Sequence, residues 1–134
     1  MKIKLFILFV LAGSSLWAQD RSPAIEEAVA KQTAHFELRP DQVEQMYTIE
    51  ERRARNLAQI EVLRESDYRL FLQKKQDIRT HIDGNIRQIL DKEQRMILDE
   101  DLRQYRLTTS NLIRQMQEQG KPKEEIELML LERG

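Results

Sequence analysis

The sequence predicts an all-α protein, and three observations carry that expectation. Apolar residues recur at helical spacing through long charged stretches, no segment alternates with period two, and only Gly84, Gly120 and Gly134 stand after residue 18. Charged residues make up 34% of the chain and alternate in sign, the pattern of solvated helix faces laced with i,i+4 pairs. Four to five helices are expected, arranged as an elongated helical hairpin.

Residues 1–18 read as an export signal. Lys2 and Lys4 form a basic start, Leu5 to Ala12 an apolar run, and Leu16-Trp17-Ala18 the approach to cleavage after Ala18. The run is too short for a membrane span, so no integral membrane segment is expected once it is removed. The mature part, 19–134, is the length of one small domain and is expected in the periplasm. Without cysteine, neither a lipid-modified N-terminus nor a disulfide is expected. The leader holds two of the 22 basic residues and none of the 23 acids, which leaves 20 bases against 23 acids, a formal balance of −3. Nucleic acid demands a net basic surface, so it is not an expected partner.

Ser22-Pro23 opens a first short helix that carries Ile25, Val29 and Phe36 toward one side. Pro40 opens the second, where Met46, Ile49, Leu57, Ile60 and Leu63 keep helical spacing. Run on to Arg64, it would measure roughly 38 Å at 1.5 Å per residue. Ser66 or Asp67 can cap a third helix bearing Phe71, Ile78, Ile82, Ile86 and Ile89. Gly84 inside it marks a kink or a close helix crossing. From Asp91 a fourth helix shows Leu98, Leu102, Tyr105, Thr109, Leu112 and Met116, a coiled-coil-like seam. Gly120 then suits a helix end and Pro122 the first position of a last helix, Lys121–Glu132. Rods with stripes this narrow are expected to finish burying them against a second copy, as a homodimer.

One phrase occurs twice, 52 residues apart: Leu38-Arg39-Pro40-Asp41-Gln42 and Leu90-Asp91-Lys92-Glu93-Gln94. Its physics is a helix start. In the second copy Asp91 is the N-cap and Gln94 reaches back to its backbone N–H, a capping box. In the first, Pro40 fits the first helical position and Asp41 faces the positive end of the helix dipole. Leu38 and Leu90 precede the caps, where a hydrophobic staple sits. Gln94 supplies only the reciprocal bond, so its loss is expected to cost less than that of Asp91.

Behind an export signal, this doubled phrase resembles the LTxxQ-motif family of small periplasmic stress proteins, the Spy/CpxP-like group. The stretch Ile86-Arg87-Gln88-Ile89-Leu90-Asp91-Lys92-Glu93-Gln94 is similar to the family's I-x-x-I-L-T-P-E-Q segment, and the resemblance spans residues 38–106. The family's threonine is replaced by Arg39 in one copy and Asp91 in the other. The resemblance implies a curved, cradle-shaped antiparallel dimer and an ATP-independent holding chaperone or envelope-stress accessory protein. Its partners would be unfolded or partly folded envelope proteins.

Catalysis finds no support in the residues. There is no cysteine nucleophile, G-x-S-x-G elbow, phosphate-cradling glycine loop or H-E-x-x-H helix, and no cofactor is expected. Asp77, His81 and Asn85 share one face of the third helix, but Asp77 and His81 supply only two metal ligands where structural zinc takes four. No metal site is therefore expected. Arg52, Arg53 and Arg55 stand beside Leu57 and Ile60, a mixture of guanidinium and apolar groups suited to loose contact with unfolded chains. The competing expectation is that these arginines pair with nearby glutamates such as Glu50 and Glu61. A regulatory protein docking on the sensor domain of a membrane signalling protein, in response to stress or metal, is the alternative function.

Overall fold

A computed structural model describes residues 21–134; the leader expected at 1–18 lies outside them. Among the described residues the regular elements are helices, in the order α1 Pro23–Phe36, α2 Pro40–Ile60, α3 Leu63–Ser66, α4 Tyr68–Ile89, α5 Lys92–Glu118 and α6 Lys123–Arg133. None is long and apolar enough to cross a membrane.

The fold class is as expected, but six helices replace the expected four to five. The second helix stops at Ile60 instead of running to Arg64. The Glu61 N–H turns back to the Ala58 carbonyl at 3.4 Å, a tightened last turn, and Val62 stands out in solvent. The single turn α3 follows, and the Asp67 carboxylate then accepts from the Leu70 N–H at 3.0 Å to start α4. The chain has reversed direction, so α2 and α4 form an antiparallel hairpin, the largest helix–helix contact of the fold. Reversal here lets Ile82 and Ile86 of α4 meet Met46 and Ile49 of α2, which a continuous helix would prevent.

α1 lies back along α2, α5 leaves the far end of α4 and touches α1, and α6 returns onto α4 with a smaller contact to α5. Where α1, α2, α4 and α5 meet, Val29, Phe36, Leu38, Met46, Ile49, Ile82, Ile86, Leu90 and Leu98 form the core cluster. At the opposite end α6 packs on α4, where Ile126, Phe71 and Leu72 are buried.

Three local expectations change. α4 runs through Gly84 unbroken, and a Cβ there would meet nothing within 4 Å, so this glycine marks no close crossing. Pro122 is the N-cap of α6, in extended conformation, and the helix begins at Lys123; Gly120 takes the left-handed turn before it, at φ 71°. The α5 seam is partly spent inside the monomer, with Leu98 in the core and Leu102 packed against it, while Leu112 and Met116 stay half-covered.

Candidate functional site

Two arrangements organise the molecule, and the doubled phrase builds the first. After α1, Glu37 takes a left-handed conformation at φ 53°, and the Leu38 N–H returns to the Thr33 carbonyl at 3.0 Å, a Schellman end. Leu38 enters the core, Pro40 opens α2, and Gln42 Oε1 accepts from the Arg39 N–H at 2.9 Å. Arg39 has no side-chain acceptor, so this corner makes only the glutamine half of a capping box. At the second corner Leu90 is buried and Asp91 accepts from the N–H groups of Glu93 and Gln94 at 3.1 and 3.0 Å. Gln94 Oε1 accepts from the Asp91 N–H at 3.0 Å, which completes the box.

The two glutamines also meet. Gln42 Nε2 donates to Gln94 Oε1 at 2.7 Å, and Gln94 Nε2 donates to Gln42 Oε1 at 3.0 Å. Each spends its other amide proton on the opposite corner: Gln42 on the Ile89 carbonyl at 2.7 Å, Gln94 on the Glu37 carbonyl at 3.2 Å. Donors and acceptors correspond under the same 52-residue offset, so the two corners are related by a local pseudo-two-fold. With side chains only 1% and 7% exposed, both carboxamides are buried and fully satisfied. Arg39 Nη1 crosses the same axis to Asp91 Oδ2 at 2.8 Å. These contacts, with the backbone bond from Gln94, hold the Asp91 carboxyl below its ordinary range, the bond from Gln94 contributing most.

The second arrangement is a groove along the face of the α2–α4 hairpin. Its walls come only from these two helices. One depression, of about 230 Å³, lies among Gln45, Thr48, Ile49, Arg52, Asn85, Gln88 and Ile89. The next, of about 270 Å³, lies among Asn56, Ile60, Lys74, Asp77, Ile78 and His81. Arg52 and Asn56, like Asn85 and His81, are one turn apart, so the two depressions are consecutive.

The residues expected to hold clients are divided by this geometry. Arg52 and Ile60 line the groove, Arg55 is exposed, and Leu57 is partly buried. Arg53 turns inward instead, with Nη1 3.4 Å from Oε1 of the buried Glu50. That is one of the pairings the competing expectation foresaw; Glu61, the other glutamate it named, pairs instead with Arg64. Arg52 and Arg55 form no ion pair among the described residues. Asp77 and His81 share the wall with Lys74, and no group of three His, Cys, Asp or Glu able to hold an ion occurs among the described residues.

Sequence reasoning missed a polar cavity of about 230 Å³ between α1, α4 and α5. His35 Nε2 lies 2.7 Å from Asp101 Oδ2, and the Arg79 guanidinium sits 4.2 Å from the centre of the Tyr105 ring. Burial pushes the Asp83 carboxyl up, against the pull of Arg79 and Arg53. No local motif marks these residues, because they come from three separate helices.

Fold and site together define an all-helical domain whose face carries a shallow groove of mixed amide, cationic and apolar groups. Compared with protein-family models, curated proteins and solved structures, the chain matches none.

Proposed function

We propose that this chain is a periplasmic, ATP-independent holding chaperone or envelope-stress accessory protein of the Spy/CpxP-like kind. The observation that carries the reading is the α2–α4 face, where isoleucines and cations share a shallow groove. Such a surface suits weak, repositionable contact with unfolded chains, in contrast to the concave, largely apolar pocket that small molecules prefer. The doubled Leu-x-x-acid-Gln phrase, locked corner to corner, supports kinship with the LTxxQ family.

The reading includes a curved antiparallel homodimer. It is supported by apolar surface that the monomer leaves half-covered: Leu112, Ile113 and Met116 on α5, and Leu128 to Leu131 on α6. On α6 the four successive apolar residues Leu128 to Leu131 cannot all face α4, so part of that run is left for another surface.

The test is aggregation of chemically unfolded model proteins, followed by light scattering without nucleotide. Substoichiometric to equimolar protein should suppress it, and Arg52→Ser with Arg55→Ser should reduce suppression while helicity is unchanged. Added salt should weaken the effect, since at 0.1–0.15 M exposed charges reach only about 8–10 Å. If aggregation of several clients is untouched, the chaperone reading is wrong and docking on a sensor domain becomes the function to pursue.

A further inference from the structure

The rails of the α2–α4 groove are built mainly from neutral hydrogen-bonding groups. On α2, Gln45, Thr48 and Asn56 alternate with Arg52; on α4, Gln88 and Asn85 continue to His81 and Asp77. The carboxamides of Gln45, Asn56, Asn85 and Gln88 have no hydrogen-bond partner among the described residues. Gln42 and Gln94, by contrast, are saturated by one another. Between the rails lies a floor of Ile49, Ile60, Ile78 and Ile89.

A carboxamide offers one acceptor and two donors, the same complement a peptide group seeks. Successive turns along a rail lie about 6 Å apart, four residues at 1.5 Å. An extended chain repeats every two residues, about 6.6–6.8 Å, so its outward peptide groups meet a rail once per turn while alternate side chains point at the floor. From Gln45 to Ile60 the rail is roughly 22 Å long, room for about six to seven extended residues.

Charge selects among extended chains. The walls carry two cations, Arg52 in one depression and Lys74 in the next, against Asp77 as their one acid. No acid occurs among the α2 residues of its walls, Gln45, Thr48, Ile49, Arg52, Asn56 and Ile60, although residues 19–134 carry more acids than bases. The acids of α2 that form pairs lie elsewhere: Asp41 is paired with Arg39, Glu44 and Glu51 hold Arg21, and Glu50 holds Arg53.

We infer that this groove binds an extended polypeptide segment through its backbone peptide groups, preferring segments of six to seven residues with acidic side chains alternating with small apolar ones. The inference rests on the client-holding reading of the same face and names what is held and how. Side-chain amides reading peptide groups make the site indifferent to most of the sequence, and the cations add the preference for acids.

The experiment uses fluorescence anisotropy with the mature chain and a labelled decapeptide alternating glutamate with valine. Three probes accompany it: the same peptide N-methylated at alternate residues, a lysine–valine peptide, and a proline-interrupted glutamate peptide. The glutamate–valine peptide should bind best. N-methylation, which removes backbone donors and keeps every side chain, should weaken binding by about tenfold or more, the worth of one or two hydrogen bonds. Asn56→Ala with Asn85→Ala should weaken it similarly at unchanged helicity, whereas Arg52→Ser should chiefly flatten the salt dependence. Equal affinity for methylated and unmethylated peptides overturns the inference, as does binding that ignores both asparagines. If the asparagine variants instead abolish self-association and no peptide binds, the face belongs to a second copy and the inference fails. Full aggregation suppression by the asparagine variants sinks this inference and leaves the chaperone reading standing; no suppression by the unsubstituted protein sinks that reading first.

Discussion

Gln42 and Gln94 stand 52 residues apart in the chain, and each is both donor and acceptor to the other, at 2.7 and 3.0 Å. The same atoms also cap the helices that carry them, through the N–H groups of Arg39 and Asp91. Two helix starts thereby become one joint, which ties the α1–α2 corner to the α4–α5 corner.

Removing either glutamine therefore strands more than a cap. Gln94→Ala leaves the Gln42 amide, the Asp91 N–H and the Glu37 carbonyl without their partner, and each stranded group costs up to about 1–3 kcal/mol if no water replaces it. The cost should equal or exceed that of Asp91→Ala, which reverses the order read from the sequence. Denaturant unfolding of Gln42→Ala, Gln94→Ala and the double variant should give a coupling of about 0.5–3 kcal/mol. Additive effects would mean that the two amides act separately.

Asp91 adds a pH signature. Its native carboxyl lies below the ordinary range, so the stabilisation it gives is present above about pH 4 and is lost as pH falls through the native value. Asp91→Ala should lower Tm at pH 7, and the gap to the unsubstituted protein should narrow as pH falls below about 4.

Asp83 should behave in the opposite sense. Burial raises its carboxyl, so the native state takes up the proton more readily than the unfolded chain does. Stability from this group rises on acidification through the window above about pH 3.9. From pH 7 downward, the unsubstituted protein should gain Tm relative to Asp83→Asn. A constant difference would show that Asp83 does not titrate there.

Glu37 occupies a position where glycine is the usual residue. A left-handed conformation strains an L side chain by about 1–2 kcal/mol, partly offset by the flexibility a glycine adds to the unfolded chain. Glu37→Gly should raise stability by about 0.5–1 kcal/mol in denaturant unfolding.

Self-association should follow the apolar surface of α5 and α6. Multi-angle light scattering at micromolar concentration should give about twice the monomer mass, and Leu112→Ser with Leu130→Ser should return it to the monomer. A strictly monomeric, cooperatively folding protein would remove the dimer from the proposal.

Most helix starts were legible because their signals are local: Ser22-Pro23, Pro40, Asp67 and Asp91 each act within a few residues. The stop at Ile60 was not, since the periodicity continues to Leu63 and only the return of α4 onto α2 fixes where the rod must break. The contact of Arg53 with Glu50 was not legible, because three neighbouring arginines look alike until the fold buries one glutamate beside them. The repeated phrase announced both corners; their pairing was invisible, for nothing within five residues encodes a partner 52 positions away.

The length of chain between the joined amides bears on kinetics. Helices and their caps form early and locally, while a bond that closes so large a loop comes only after the intervening hairpin has folded. A contact absent from the transition state leaves the refolding rate nearly untouched and slows unfolding. Gln42→Ala and Gln94→Ala should therefore speed unfolding and leave the refolding rate nearly unchanged, as stopped-flow kinetics would read.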